Sequence, residues 1–247
     1  MKYNYQILIE YDGTKFVGWQ FQKNGISVQE KIEKAIKKLI KKKISLIGSG
    51  RTDAGVHAIG QSANFKTDYN IKNKANFLKS INFFLSKNYI SILSVKKKKY
   101  SFHSRYSAKK RIYKYFIINR EAPPVLQKNK IWHLKKKLDI QVMKKGANFL
   151  KRIKDFSTFR ASSCSAASPI KTIEKITIKK KYDVIEICFV SKSFLQNQVR
   201  SMVGCLKYLA EKKWNLKKFK TVTISKTRSN CAPPAPAHGL YLAQIKY

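Results

Sequence analysis

The sequence has few cysteines and histidines, and it has no long apolar run. Its four cysteines and four histidines are scattered along 247 residues, without C-x-x-C spacing or a His and Cys pair at ligand spacing. This scarcity excludes a disulfide scaffold and predicts reduced thiols and no metal site. No apolar stretch approaches the roughly 18 residues of a membrane-spanning helix, and the first residues alternate like a strand instead of forming a signal peptide. We therefore expect a soluble, cytoplasmic protein without a membrane partner.

Acidic residues are also scarce, because 13 Asp and Glu stand against 53 Lys and Arg and give a formal net charge of +40. This excess favours a polyanionic partner, above all a nucleic acid. The alternative is a genome with A-rich codons, since only eight of the 53 basic residues are arginines. The apolar fraction of 43%, with 14 Phe and 13 Tyr, is too high for a disordered basic tail and predicts a folded core.

Apolar spacing predicts a mixture of strands and helices. The alternation from Tyr3 to Tyr11 is typical of a half-buried strand. Ser27 and Glu30 form a capping box, after which residues 28–41 are predicted to be a helix. Further strands are predicted at 62–67, 89–95, 111–118, 173–178 and 184–190, and a further helix is predicted around 77–85. This order lacks regular βα alternation and predicts an α+β fold with helices packed on one face of the sheets.

Two more helix starts are predicted in the second half of the chain. Asp139 is expected to cap a helix that runs through Leu150. Ser193 and Gln196 have the spacing of a second capping box, before a helical apolar stripe that reaches Leu209. No internal repeat is evident.

One loop, Gly48–His57, departs from ordinary patterning with the sequence GSGRTDAGVH. Its three glycines let the backbone approach a ligand closely, and they flank Arg51 and Asp53. A carboxylate in such a loop can act as a nucleophile or base, and a neighbouring guanidinium favours its ionised form. The alternative is that Asp53 only caps a turn and pairs with Arg51. A phosphate-binding P-loop is excluded because no Lys-Ser/Thr follows the glycines.

This loop resembles the signature of the tRNA pseudouridine synthase A family, which has GRTDAGVH at its catalytic aspartate. Further segments agree in order and separation along essentially the whole chain. These segments are YDGTKFVGWQ, SVQEKIEKA, FHSRYSAKKRIYKY, FSTFRA, SFLQNQVRSMVG and APAHGLYL. One departure is FLQNQVR, where relatives often have histidines as in FVHHMVR, so this wall of the pocket differs in detail.

The resemblance implies roles for four residues. Asp53 matches the catalytic nucleophile, which attacks the target uridine so that the base detaches, turns and rejoins the ribose through C5. Arg51 matches the arginine that pairs with this aspartate and helps to displace the uridine from the stack. Tyr113 matches the tyrosine that stacks on the flipped base, and Arg200 matches a basic residue that faces the aspartate.

Without the resemblance, these residues have plainer explanations. Tyr113 alternates with Tyr115 and is then an ordinary sheet residue, and Arg200 is a solvated arginine on an amphipathic helix. Since the chain supplies its positive charge mostly with lysine, its few arginines mark sites that need a planar, bidentate group. On this basis Arg105 and Arg160 are candidates for phosphate contacts.

The resemblance also implies an architecture and a reaction. It implies two similar mixed-sheet α+β domains with an active-site cleft between them, residues 1–100 carrying the Asp53 loop and residues 101–247 completing the cleft. It implies a homodimer that isomerises uridines at positions 38, 39 and 40 of the tRNA anticodon stem-loop. Carboxylate attack needs neither cofactor nor metal. The rival hypothesis is a non-catalytic RNA-binding protein in which Asp53 only shapes a turn.

Overall fold

The computed structural model describes residues 2–247 and has an α+β fold, as the sequence predicts. Its described part contains nine β-strands and five α-helices. The strands are β1 (Tyr3–Tyr11), β2 (Leu46–Gly48), β3 (His57–Thr67), β4 (Ile90–Lys98), β5 (Lys110–Asn119), β6 (Trp132–Leu134), β7 (Ile173–Lys181), β8 (Val184–Ser191) and β9 (Leu240–Lys246). The helices are α1 (Val28–Ile40), α2 (Lys74–Leu85), α3 (Ile140–Leu150), α4 (Gln198–Ala210) and α5 (Leu216–Ile224).

The chain divides into two compact units. Unit 1 comprises residues 2–109 together with Tyr241–Tyr247, and unit 2 comprises Lys110–Leu240. The first division therefore lies after Lys109. In the sequence analysis it is placed nine residues earlier, after residue 100. The last seven residues also return to unit 1, because β9 pairs with β3.

Unit 1 is built on a mixed sheet around β1 and β3. β1 lies between β3 and β4 and is antiparallel to both strands. The other edge of β3 pairs antiparallel with β2 and, at its first residues, parallel with β9. Helix α2 packs against α1 and β4. The β1 side chains Tyr5, Ile7 and Ile9 are fully buried and belong to the core of the unit.

Helix α1 begins where the capping box predicts. The Ser27 side chain accepts a hydrogen bond from the Glu30 N–H, 3.2 Å away, and satisfies a donor that the first helical turn leaves free. Ile32 and Ile36 are fully buried on the apolar stripe. Glu30 pairs with Lys34 one turn later on the outer face.

Unit 2 contains the strands β5, β6, β7 and β8. β8 lies between β5 and β7 in antiparallel pairing, so the strands predicted at 173–178 and 184–190 are confirmed, and they form a hairpin around Asp183. The short strand β6 runs parallel to the end of β5. Helix α3 packs on β7 and on helices α4 and α5, and the fully buried Phe156, Phe159 and Phe189 contribute to the core.

The two helix starts predicted for unit 2 have different outcomes. Asp139 caps α3 as expected, because its carboxylate accepts from the backbone N–H groups of Gln141 and Val142 at 3.1 Å each. The capping box at Ser193 and Gln196 is wrong, since α4 begins only at Gln198 and its N-cap residue is Asn197 in a left-handed conformation. The Ser193 backbone N–H instead donates to the Ser191 hydroxyl at the end of β8, so this stretch forms a turn.

Within residues 2–247 no helix is long and apolar enough to cross a membrane. The longest helices, α1 and α4, have 13 residues each, which is short of the roughly 18 that spanning requires.

Candidate active site

The loop between β2 and β3 holds Arg51 and Asp53 in unit 1. Arg51 is exposed, whereas Asp53 is half-buried. The Arg51 side chain is therefore accessible to a ligand.

The first residues of this loop are fixed to strand β3. The Ser49 backbone N–H donates to the Ser62 carbonyl oxygen at 2.8 Å, and the Ser49 hydroxyl donates to Oε1 of Gln61 at 2.8 Å. The same Gln61 side chain donates from Nε2 to the Gly50 carbonyl oxygen at 2.7 Å. Ser49 and Gln61 are fully buried, so these hydrogen bonds are shielded from water and hold the residues before Arg51 in one conformation.

The centre of the loop is held by the segment that follows β1. The Trp19 backbone N–H donates to the Thr52 carbonyl oxygen at 3.1 Å, and the Tyr11 and Thr52 hydroxyl groups are hydrogen-bonded at 2.7 Å. Gly18 adopts a φ of +118°, and a Cβ atom at this position would lie 2.6 Å from the Thr52 oxygen. Only glycine allows this approach, so residue 18 helps to set the backbone immediately before Asp53.

A turn closes the loop after Asp53. The Val56 backbone N–H donates to the Asp53 carbonyl oxygen at 3.1 Å, and Gly55 has a φ of +76°. Val56 is buried, and its carbonyl group lies against Gly13, where no Cβ atom would fit. The main chain is thus restrained on both sides of Asp53, while the carboxylate itself remains partly accessible. A restrained backbone with an accessible side chain is the arrangement that a preorganised catalytic group requires.

Behind the loop, His57 is buried and connects it to the end of β1. Its Nδ1 atom lies 3.0 Å from the Gly13 backbone nitrogen and 3.0 Å from an Asp12 carboxylate oxygen. A neutral imidazole accepts from Gly13 at this nitrogen, and a protonated one would pair with Asp12. The Tyr241 ring stacks on the imidazole at 4.7 Å, and burial, followed by the Asp12 charge, raises the pKa of Tyr241 to about 12. These contacts explain why β9 belongs to unit 1.

Tyr113 lies in unit 2, on strand β5. Its side chain is 8% exposed, and its ring meets the Phe194 ring edge to face at a centroid distance of 5.2 Å. This contact and the pairing with Phe189 on β8 fix the position of the tyrosine. The limited exposure fits a ring that would offer one edge or face to a planar ligand.

Arg200 lies in the first turn of α4, also in unit 2. Its Nε donates to the Ala235 carbonyl oxygen at 2.7 Å, and its Nη1 donates to Oδ1 of Asn197 at 3.1 Å. Its charge affects two neighbours. The pKa of His238 is lowered, first by burial and then by the Arg200 charge. The pKa of Tyr115 is raised far above its ordinary value by burial, and the Arg200 charge opposes this increase. Arg200 is thus oriented by neighbours, in contrast to the solvated arginine of the plainer explanation.

The two arginines predicted to contact phosphate differ from each other. Arg105 is exposed, and its guanidinium lies 5.7 Å from the centre of the exposed Tyr106 ring. The two side chains form a cation–π interaction on the surface. Arg160 donates from Nη2 to the carbonyl oxygens of Cys164 and Ala166, at 2.8 and 2.6 Å. Arg160 therefore holds its own loop together, and only its remaining donors are available for a phosphate.

Sequence reasoning missed the residues that support the loop. Asp12, Gly13, Gly18 and Trp19 lie in YDGTKFVGWQ, a segment that the family resemblance includes but to which we assigned no role. The two glycines were the signal from which this role could have been predicted, because each lacks a side chain at a place where another segment of backbone passes close by.

Within residues 2–247 no group of three or more His, Cys, Asp or Glu side chains is placed to hold a metal ion.

Comparison with known proteins identifies the family of this chain. The family model described as tRNA pseudouridine synthase matches residues 7–107 and 153–247. The chain is 59% identical over 245 residues to the tRNA pseudouridine synthase A of Pelagibacter ubique, covering 99% of this chain and all of the relative. It is 41% identical to the tRNA pseudouridine synthase A of Parvibaculum lavamentivorans, over 98% of each chain, and 43% identical to that of Thermoanaerobacter sp., over 99% of each.

The matched residues include both the Asp53 loop and the segment after β1 that holds it. This chain belongs to the tRNA pseudouridine synthase family, whose enzymes are isomerases.

Proposed function

We propose that this protein converts uridine to pseudouridine at positions 38, 39 and 40 of the tRNA anticodon stem-loop, with Asp53 as the nucleophile. The observation that carries the proposal is the Asp53 loop, which has the family signature, a backbone restrained on both sides and a partly accessible carboxylate. Nucleophilic catalysis by a carboxylate requires that the group be held in place before the substrate arrives.

The reaction exchanges one bond for another without a redox change. The bond from the ribose C1′ to N1 of the base breaks, a bond from C1′ to C5 forms, N1 gains a proton, and the proton on C5 leaves to solvent. The uridine must first leave its stack, at a cost of a few kcal/mol. We propose that the exposed Arg51 guanidinium helps this displacement and that the Tyr113 ring stacks on the extruded base. Neither a cofactor nor a metal enters the scheme.

Family membership supports the remaining parts of the proposal. We propose that the two units are similar α+β domains that bind the substrate in a cleft between them, and that Arg200 acts on the same nucleotide as Asp53. Arg105 and Arg160 are proposed phosphate contacts, since guanidinium groups bind phosphate through paired hydrogen bonds. The net charge of +40 suits a polyanionic substrate. We further propose a homodimer that holds the tRNA with both subunits.

The proposal is tested by tritium release from an anticodon-arm tRNA transcript labelled at C5 of uridine. The wild-type protein is expected to release the label to water in a chelator-treated buffer, because C5 loses its hydrogen when the new bond forms. The same transcript is used in a filter-binding assay as a control for recognition. Tight binding without any release would contradict the proposal and assign the chain to the non-catalytic RNA-binding proteins.

Arg51→Lys tests the role of the guanidinium. Lysine keeps the charge but loses the planar group, so we expect turnover to fall about 10- to 100-fold while the tRNA Kd changes by less than about threefold. Single-turnover tritium release and filter binding measure the two quantities. Arg152→Lys is the matched control, because Arg152 is also exposed and lies outside the proposed site. Equal losses of turnover and affinity in Arg51→Lys would show that Arg51 is only a phosphate contact.

A further inference from the structure

Two cysteine thiols face each other in unit 2. Cys205 lies on helix α4, Cys231 lies in the irregular segment after the turn Arg228–Asn230, and their sulfur atoms are 3.5 Å apart. Cys205 is fully buried, whereas Cys231 is half-buried and so partly accessible. A disulfide has a sulfur separation of about 2.05 Å, so the two atoms need to approach by only about 1.5 Å.

The backbone on both sides of this pair is held in place. The Ala235 N–H donates to the Arg200 carbonyl oxygen at 3.0 Å, and the Arg200 Nε donates back to the Ala235 carbonyl oxygen at 2.7 Å. One turn later on α4, Gly204 lies so close to the Pro233 carbonyl group that a Cβ atom would overlap it. The segment that carries Cys231 is therefore packed directly on the helix that carries Cys205, and their thiols meet without a large movement of either element.

The surroundings of the two thiols differ in a way that assigns them different roles. The hydrogen bond with Cys205 and then the nearby Arg228 guanidinium hold the pKa of Cys231 below its ordinary value, against the opposing effect of burial. That hydrogen bond and burial raise the pKa of Cys205. Cys231 is also the more accessible of the two thiols, so an oxidant reaches it first, and the buried Cys205 is placed to attack it in the next step.

We propose that Cys205 and Cys231 are a peroxide-responsive pair that closes to a reversible intrachain disulfide. The Cys231 thiolate attacks one oxygen of hydrogen peroxide, the O–O bond breaks, and sulfenic acid forms with loss of hydroxide, which takes up a proton. The Cys205 sulfur then attacks the Cys231 sulfur, the disulfide bond forms, and water leaves with the Cys205 proton. Two thiols and one peroxide thus yield one disulfide and two waters. The inference is independent of the proposed uridine chemistry.

The disulfide has a chemical advantage over a single oxidised thiol. A sulfenic acid with no neighbouring thiol proceeds to sulfinic acid, which ordinary thiol reductants do not reverse. Cys205 intercepts the sulfenic acid at contact distance, so oxidation stops at a state that cellular thiols can reduce. Among residues 2–247, Cys164 and Cys188 make no sulfur–sulfur contact of this kind, and they serve as internal controls.

The test is to treat the folded protein with hydrogen peroxide and map its cysteines after trypsin digestion. Each of the four cysteines falls in a separate tryptic peptide, and these are Ala161–Lys171, Tyr182–Lys192, Ser201–Lys207 and Ser229–Lys246. We expect the loss of two of the four titratable thiols, a mass decrease of about 2 Da, and a cross-link between Ser201–Lys207 and Ser229–Lys246 only. Dithiothreitol should restore all four thiols.

Variants distinguish this pathway from general oxidation. Cys205→Ser should leave Cys231 as a sulfenic acid that dimedone captures, and Cys231→Ser should leave the buried Cys205 thiol unreacted. Cys188→Ser should form the same disulfide as the wild-type protein. The inference is overturned if Cys231 proceeds to sulfinic acid while Cys205 stays reduced, or if other cysteines oxidise first. If a variant fails to fold, the peptide map of the wild-type protein still tests the inference, because it shows which cysteines are oxidised and which two are cross-linked.

Discussion

Asp53→Asn is expected to lower tritium release from C5-labelled tRNA by about 10³-fold or more. An amide lacks the negative charge and the nucleophilicity of the carboxylate, so the step that detaches the base cannot begin. The tRNA Kd should stay within about threefold of the wild-type value, because phosphate neutralisation by basic residues dominates the affinity. Single-turnover tritium release and filter binding at one fixed salt concentration measure both effects.

Asp68→Asn is the matched control for this prediction. Asp68 belongs to the same unit, is exposed, and pairs with Lys42 at 2.6 Å. The Lys42 hydrogen bond lowers the pKa of Asp68, so this carboxylate is ionised at neutral pH and its replacement removes one negative charge. Asp68→Asn should retain wild-type turnover. Wild-type turnover in Asp53→Asn would instead show that Asp53 is not the nucleophile and only shapes its loop.

Gly18→Ala is expected to destabilise unit 1 by about 2–4 kcal/mol and to reduce turnover strongly. Alanine at a φ of +118° is strained, and its Cβ atom would lie 2.6 Å from the Thr52 carbonyl oxygen. Thr52 must then move, and it carries with it the adjacent Asp53 backbone. Urea denaturation followed by circular dichroism measures the stability, and tritium release measures turnover at temperatures where the variant remains folded.

Gly25→Ala separates the effect of the loop contact from that of adding a methyl group. The Gly25 Cβ atom would meet the Val17 side chain instead of backbone, and the φ of Gly25 lies outside the left-handed region. A side chain can rotate away, so this variant should lose less stability and keep its turnover. Equal stability and turnover in Gly18→Ala and the wild type would show that Asp53 does not depend on this close approach.

Much of the secondary structure was predictable because its signals are local. The Ser27 and Asp139 caps act on N–H groups two or three residues away, so the starts of α1 and α3 follow from a few neighbouring side chains. The same local pattern at Ser193 failed, because Ser191 at the end of β8 takes up the Ser193 backbone N–H in a turn. A capping pattern therefore predicts a helix only where no neighbouring element competes for the same donors.

The functional interpretation came from a different kind of information. The charge excess indicated a polyanionic partner, and the GRTDAGVH loop indicated the family, which the comparisons confirm. The roles of Arg51, Tyr113 and Arg200 follow from resemblance and stay predictions. The positions of residues along the sequence do not show which side chains contact the same substrate. The Arg51→Lys variant tests the first of these roles directly.

The sequence by itself determined the α+β class, the starts of α1 and α3, the strands β7 and β8 and the loop whose signature identifies the family. Only the tertiary structure decided that β9 returns to β3, that YDGTKFVGWQ holds the Asp53 loop and that Cys205 meets Cys231. The reason is physical. Caps, turns and amphipathic faces arise from interactions within a few residues, whereas strand pairing and side-chain contacts join segments whose separation along the chain leaves no local pattern.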